Sequence, residues 1–146
     1  IIYGYGEEKL SRKIARKIVE ARERAEIKTT FDLVKIIEGA VGGAYKRQKI
    51  HSATRTFQAL RIAVNDELGA LQMGLMKGFK ILRNNGRMAV ISFHSLEDRV
   101  VKKFYKAKES SGEAKLVNKK VILASKEEVK NNSRARSAKL RILIKK

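Results

Sequence analysis

The chain contains no cysteine, no proline and only two histidines among its 146 residues. Without cysteine, a disulfide framework, thiolate zinc sites and a cysteine nucleophile are all excluded. His51 and His94 are too few for a histidine-rich metal centre, so we expect no metal site. No apolar run reaches the roughly 20 residues of a transmembrane helix, and no signal peptide opens the chain. These absences favour a cytoplasmic protein without a membrane partner.

Acidic residues are scarce relative to basic ones. The chain carries 34 lysine and arginine residues against 15 aspartate and glutamate residues, a formal net charge of +19. Such an excess attracts polyanions, and nucleic acid is the commonest polyanion inside cells. Because residues 66–146 hold 20 of the basic and 8 of the acidic residues, we expect the RNA-binding surface mainly there. A basic face kept for solubility, or a structural protein associated with ribosomes, is the alternative.

The first third of the chain has helical periodicity. Apolar spacing over residues 7–26 predicts an amphipathic helix, and Thr29 with Asp32 predicts a capped second helix. A basic loop at residues 44–49 contains Tyr45 and is a candidate RNA contact.

A longer helical pattern follows. From Ser52, a candidate N-cap, apolar residues recur every three or four positions as far as Leu82, which predicts one long helix or two joined with little bend. Asn65 and Asp66 interrupt the pattern, and we expect a buried interdomain hydrogen bond for both. The apolar run Met88–Phe93 then predicts a buried strand.

The remaining third alternates between helix and strand signals. Ser95 with Asp98 and Ser125 with Glu128 form two predicted capping boxes. They predict helices that start just after residues 95 and 125. Alternation at the end of the chain predicts a half-buried strand at the edge of a sheet. Its inward side chains are Leu140, Ile142 and Ile144.

Two long segments carry the most distinctive pattern: GRMAVISFHSLEDRVVKKF, from Gly86 to Phe104, and HSATRTFQALRIAVNDEL, from His51 to Leu68. Together with YGEE at residues 5–8 and NSRARSAKLR at residues 132–141, they resemble the RsmH (MraW) family. This resemblance covers essentially the whole chain. It implies S-adenosylmethionine-dependent methylation of the N4 amine of a cytidine in small-subunit ribosomal RNA.

The resemblance also implies an α/β fold, in which a helical subdomain interrupts a Rossmann-like methyltransferase domain. Residues 1–52 would be the helical RNA-binding insertion subdomain. Residues 53–146 would supply the long connecting helix and the C-terminal half of the methyltransferase domain.

The family's cofactor site has no counterpart in these 146 residues. It consists of a glycine-rich turn after the first strand, an acidic residue after the second and a catalytic loop after the fourth. The chain also begins at Ile1 without an initiator methionine, which favours a C-terminal fragment. We therefore expect no cofactor-binding residues here, an S-adenosylmethionine site mostly outside this chain, and no activity of the chain alone. Pairing with the missing N-terminal half, or a homodimer, is expected to stabilise its open sheet.

His94 is the candidate catalytic residue, on the substrate side of the site. It follows a strand at the edge where open α/β sheets handle ligands. Ser92, on the same face, is a candidate RNA-binding residue. At that edge His94 would contact a flipped cytidine or its phosphate; the alternative is a histidine that hydrogen-bonds the backbone at a strand end. Arg99 lies in a first helical turn, where the dipole disfavours a cation, so RNA phosphate or a neighbouring carboxylate is expected as its partner.

The other candidate RNA-binding residues form two groups. His51, Arg55 and Arg61 line the start of the long helix, with Arg55 free to present its guanidinium to phosphate. A basic turn before the last strand is expected to contact phosphate, with charge protection of a sheet edge as the alternative. This turn comprises Arg134, Arg136 and Lys139.

Two functions are consistent with these observations. The first is the RNA (cytosine-N4) methyltransferase, of which this chain would carry the RNA-binding and substrate-side part. The second is a non-catalytic basic RNA-binding or ribosome-assembly module. Small-subunit ribosomal RNA, or the subunit itself, is the partner in the first case.

Overall fold

The computed structural model describes residues 1–43, 45 and 50–146. It comprises two compact units, Ile1–Glu67 and Leu68–Lys146. Apart from Tyr45, the basic loop predicted to contact RNA at residues 44–49 lies outside the described residues. In the described part of the chain, no helix is both long and apolar enough to cross a bilayer.

The described residues of the first unit form four α-helices. They are α1 (Ile2–Gly6), α2 (Ser11–Arg22), α3 (Thr30–Val41) and α4 (Thr54–Asn65). Helix α1 packs on α4 and α2 packs on α3, around a buried core of Ile14, Ile37, Ala40, Val41 and Ala53. The predicted capping box of α3 is confirmed: Thr29 Oγ1 accepts the Asp32 N–H at 3.1 Å, and the Asp32 carboxylate accepts the Thr29 N–H at 3.0 Å.

The start of α4 differs from the prediction. Ser52 is buried and is not the N-cap, because the helix begins at Thr54 after Ala53. The Ala53 N–H is instead satisfied by Nδ1 of His51 at 3.2 Å. Since α4 packs on α1, residues 53–67 belong to the first unit, whereas the sequence grouped them with the second domain.

The long helical pattern contains a break. Asp66 adopts the left-handed conformation, with φ of 47°, and ends α4, so that α5 (Glu67–Ile81) starts directly after it. Aspartate reaches this conformation more readily than most residues with a side chain. Asn65 and Asp66 are both exposed, so the buried hydrogen bonds expected for them are not formed.

The second unit combines helices with a sheet. After α5 come β1 (Arg87–Ser92), α6 (Ser95–Ser110), β2 (Ala114–Leu116), β3 (Ile122–Leu123), α7 (Lys126–Asn131), a 3₁₀ helix (Ser133–Ser137) and β4 (Lys139–Lys145). The predicted cap of α7 is confirmed, since Ser125 Oγ accepts the Glu128 N–H at 3.0 Å.

Strand β4 is the central strand, which corrects the prediction of an edge strand. It pairs antiparallel with β1 along one edge, from Arg87 opposite Ile144 to Ser92 opposite Lys139. Its other edge pairs antiparallel with β2 and β3. Because β1 and β2 both oppose β4, they run parallel to each other, and β1–α6–β2 is the strand–helix–strand crossover typical of α/β proteins.

Helices cover one face of this sheet. Leu75 and Phe79 from α5 pack with Val101 and Tyr105 from α6 around Leu143, which is completely buried. The Tyr105 hydroxyl donates to the Met88 carbonyl at 2.9 Å, and burial raises its pKa.

The alternation predicted for β4 is present, but the set of side chains expected to face the helices and the set expected to face away from them are exchanged. The helix-covered face carries Lys139, Arg141 and Leu143, opposite Ser92, Val90 and Met88 of β1. An arginine tolerates this face because Asp98 neutralises it. The apolar face expected to be inward is only partly covered, and Ile91 on that face is 58% exposed.

Helices α1 and α4 lie close together at Gly6, which gives a first prediction. A Cβ at this position would lie 2.6 Å from the Arg55 carbonyl oxygen. Gly6→Ala must therefore push the helices apart, and we expect a loss of about 1–3 kcal/mol in the free energy of unfolding. The measurement is urea unfolding followed by circular dichroism.

Gly4→Ala in the same helix is the matched control, because nothing lies within 4 Å of its Cβ position. Alanine is the better helix former by up to about 1 kcal/mol, so Gly4→Ala should be neutral or stabilising. Equal stability of the two variants would contradict the close approach at Gly6.

Candidate functional site

The carboxyl end of β1 leads into α6 through a capped turn. His94 is the N-cap of α6, and its Nδ1 accepts the Glu97 N–H at 3.3 Å. In return, the Glu97 carboxylate accepts the N–H groups of Phe93 at 2.8 Å and of His94 at 3.2 Å. The capping box predicted for Ser95 and Asp98 is therefore wrong by one residue.

This cap fixes the chemistry that His94 can offer. Because Nδ1 accepts a hydrogen bond, the neutral imidazole carries its proton on Nε2. Nε2 lies 3.5 Å from Oε2 of Glu97 and makes no hydrogen bond to a described residue. Nε2 is buried, so His94 can donate its N–H only to a group that reaches this position, and it has no lone pair for a proton while the cap persists. The backbone hydrogen bond weighed as its alternative role is present, and contact with a nucleotide stays a prediction.

The start of α6 is partly occupied by the chain's own groups. Helix N-termini bind anions through free backbone N–H groups. Here Glu97 takes the N–H groups of Phe93 and His94, while the Asp98 N–H bonds the His94 carbonyl at 3.2 Å. The chain's own groups therefore take several of the N–H groups around this helix start.

Asp98 pairs with Arg141 in a two-pronged ion pair. The Arg141 Nε donates to Oδ1 at 2.7 Å and its Nη2 to Oδ2 at 3.1 Å. The two side chains are only 13% and 16% exposed. These hydrogen bonds hold the pKa of Asp98 below its ordinary value, against the effect of burial. Sequence reasoning missed Arg141; the only available signal was a cation inside an apolar strand.

Ser92 and Lys139 face each other where β1 ends and β4 begins. Ser92 is 3% exposed, and its Oγ donates to the Lys139 carbonyl at 3.4 Å. The Ser92 hydroxyl thus bonds the start of β4, and contact of Ser92 with RNA stays a prediction. Lys139 is half-buried on the same face as Asp98's partner, Arg141.

Arg134 and Arg136 lie on the 3₁₀ helix that leads into β4, and both are exposed. Ala135 between them is buried, and the Asn132 side chain accepts the Arg134 N–H at 3.2 Å. The short helix is thus anchored with its arginines at the surface. Arg99 is also exposed, on α6. Phosphate contact by these three residues stays a prediction.

Arg55 in the first unit lies close to an acidic residue, and its contact with phosphate stays a prediction. Its Nη1 lies 3.8 Å from Oε2 of Glu8, a completely buried carboxylate. Glu8 also accepts hydrogen bonds from the Leu10 N–H at 2.8 Å and from the Tyr45 hydroxyl. Burial first, and then the hydrogen bond to Glu8, raise the pKa of Tyr45. Sequence reasoning missed Glu8 because it stands beside Glu7 in an ordinary polar run.

The other two candidates of the first unit also have acidic neighbours. Arg61 donates two hydrogen bonds to Glu67, at 2.7 and 3.1 Å. Nε2 of His51 lies 3.6 Å from the Glu38 carboxylate, and the His51 side chain is 58% exposed. Both therefore have partners within the fold, although both remain accessible.

Sequence comparison relates the whole chain to one protein family. The MraW methylase family model matches residues 1–146. Proteins named ribosomal RNA small subunit methyltransferase H are similar to the chain. The Coprothermobacter proteolyticus protein is 50% identical over 99% of this chain and 48% of its own length. Those of Wolbachia pipientis subsp. Culex pipiens and Wolbachia sp. subsp. Drosophila simulans are 53% and 54% identical over 97% of this chain, and over 49% and 48% of their own lengths. The chain spans about half the length of the curated relatives it matches.

The capping role of His94 gives a second prediction. His94→Ala removes the acceptor for the Glu97 N–H, and we expect a loss of about 1 kcal/mol in the free energy of unfolding. His94→Asn should retain most of the stability, because asparagine is a good N-cap. Urea unfolding of both variants is the measurement. If asparagine were as destabilising as alanine, capping would not explain the histidine's contribution to the fold.

The Asp98 pair gives a third prediction, in the pH dependence of stability. The pKa of Asp98 is lower in the folded chain than in the unfolded one, where it is about 3.9. Its contribution is therefore complete above about pH 5 and is lost as the pH falls through the folded-state pKa. At neutral pH, Asp98→Asn should cost about 2 kcal/mol.

The free energy of unfolding should be measured from about pH 3 to pH 7, where the difference between wild type and Asp98→Asn should shrink toward acid. Glu127→Gln, on the exposed surface of α7, is the control. The free energy of unfolding of this variant should depend on pH as that of the wild type does. A difference that is constant across the range would show that the ion pair is not its source.

Proposed function

The chain belongs to the MraW methylase family, and from this premise we propose that it forms the substrate-side half of an enzyme that methylates the N4 amine of a cytidine in small-subunit ribosomal RNA. Its relatives are named ribosomal RNA small subunit methyltransferases, which supports ribosomal RNA methylation as the activity. The names of the relatives specify neither the cytidine nor its N4 amine, and both are proposed here.

The observation that carries this proposal is the position of His94 at the carboxyl end of β1. Ligands of open α/β sheets bind beyond the carboxyl ends of the strands. The Nε2–H of His94 fits an acceptor, such as the cytosine carbonyl or a phosphate oxygen, and does not fit the N4 amine, which is itself a donor. We therefore assign His94 to holding the nucleotide, with no role in taking its proton.

The described residues do not fit S-adenosylmethionine on their own. Two strands of the described chain lead directly into a helix, β1 through Phe93 and His94 and β3 through Ala124 and Ser125, and neither connection contains a glycine. The N–H groups of Phe93 and His94 already bond the Glu97 carboxylate. We accordingly assign no cofactor-binding residue and no methyl-transfer step to this chain.

The open edge of β1 supports a further polypeptide segment beside this sheet. Among the described residues, β1 pairs on one edge only, and its apolar run presents Ile91 at 58% exposure, followed by Phe93 at 53%. Such an edge and face are normally covered. The partner would be a polypeptide equivalent to the part of the relatives that this chain does not match, and it would add a strand beside β1.

Reconstitution tests this proposal, and it is the fourth prediction. The 146-residue chain is mixed with the unmatched part of the Coprothermobacter relative, small ribosomal subunits that lack the modification, and radiolabelled S-adenosylmethionine. We expect the two polypeptides to co-elute, and methyl transfer only when both are present. Mass spectrometry of the digested RNA should identify N4-methylcytidine.

His94→Asn in the reconstituted protein should lower the methylation rate while co-elution is unchanged, since it keeps the cap but loses the Nε2–H. A methyl group at another atom would refute the cytidine N4 assignment. Failure of the polypeptides to associate would refute the proposed partner.

A non-catalytic RNA-binding or ribosome-assembly module is the second candidate. It is favoured by the net charge of +19 and by the exposed pair Arg134 and Arg136. This function predicts tight binding of the small subunit by the chain alone, with no methylation in the reconstituted mixture.

A further inference from the structure

A small cleft opens in the second unit, between α6 and the segment that connects β2 to β3. Its volume is about 210 Å³, and four of its lining residues are basic. Lys102 and Lys106 come from α6, Lys119 from the connecting segment and Arg141 from β4. Three separate parts of the chain thus direct positive charge at one place.

Positive charge exceeds negative charge in this cleft. Arg141 is already paired with Asp98. Glu109 is the only acidic residue among the lining side chains, and its Oε1 accepts the Leu116 N–H at 3.3 Å. Among the described residues, no salt bridge reaches Lys102, Lys106 or Lys119. The three ammonium groups therefore lack an ion-pair partner in the described chain.

The arrangement differs from an ordinary solvated helix face. Like charges four residues apart, as at Lys102 and Lys106, repel one another along a helix. By contrast, Lys108 on the same helix is paired with Glu113 at 2.8 Å. A third lysine brought in from the connecting segment adds to the repulsion, and a bound anion would relieve it.

The size of the cleft limits which anion can bind in it. Pockets for drug-sized ligands measure about 300–1,000 Å³, so this cleft is too small for a nucleotide cofactor. Lysine ammonium groups bind phosphate as point charges, and the amide of Asn118 adds a donor at the same wall. A single phosphate group fits these donors.

We propose that this cleft binds a backbone phosphate of RNA. The inference rests on the proposed function for the identity of the polyanion, and it adds a contact that lies outside the site around His94. The phosphate would sit among Lys102, Lys106 and Lys119, and the Arg141–Asp98 pair would keep its structural role.

Salt-dependent RNA binding tests the proposal. The probe is a fluorescein-labelled single-stranded RNA of about 20 nucleotides, longer than the roughly 4–16 nucleotides that one small domain covers. Its affinity for the 146-residue chain is measured by anisotropy over a series of KCl concentrations. The triple variant Lys102→Ala, Lys106→Ala, Lys119→Ala should bind more weakly. Its slope of log affinity against log salt should be shallower by about 0.7 for each phosphate that the variant no longer neutralises.

A second triple variant, Lys77→Ala, Lys126→Ala, Lys130→Ala, removes the same charge from exposed positions outside the cleft and should keep the wild-type slope. Circular dichroism checks that both variants fold. Equal slopes in the two variants would overturn the cleft proposal while leaving RNA binding intact. If the wild-type chain does not bind the RNA even at low salt, the RNA-binding part of the proposed function fails as well.

Discussion

The Asp98–Arg141 ion pair is the interaction on which the architecture of the second unit depends. It places an arginine of the central strand on the face that α5 and α6 cover, with two hydrogen bonds and little exposure. An unpaired guanidinium there would carry a large desolvation cost. Because the pair removes that cost, β4 turns Leu143 to the helices and leaves its other apolar side chains on the opposite face.

Local patterns in the sequence predicted the elements of this unit but not their arrangement. The apolar run Met88–Phe93 corresponds to β1 (Arg87–Ser92), and alternation located β4. Basic residues before β4 suggested an edge strand, yet β4 is central. Strand order depends on pairing between segments far apart in the chain, and the partner of Arg141 lies 43 residues away. Neither the pairing of distant strands nor the pairing of Arg141 with Asp98 leaves a periodic signal in the sequence.

In the candidate site, too, a contact between distant segments decided a feature that local sequence patterns did not predict. The segment His94–Asp98 contains two overlapping patterns, and Ser95 is the more common N-cap, so propensity favoured Ser95 with Asp98. The structure uses His94 with Glu97, because Asp98 is taken by Arg141. A tertiary contact thus decides a local choice. Glu8 was missed for a similar reason, since its burial against Arg55 and Tyr45 joins segments that are distant in sequence.

Net charge alone did not locate the RNA-binding surface, because many of the cations are used within the fold. Arg55 and Arg61 of the first unit pair with Glu8 and Glu67, so phosphate would have to displace a carboxylate there. The cleft lysines have no ion-pair partner among the described residues, although the carboxylate of Glu109 lines the same cleft. The cleft also lies on the β2–β3 side of β4, whereas the open strand edge belongs to β1 on the other side. A protein partner could therefore extend the sheet without covering the proposed phosphate site.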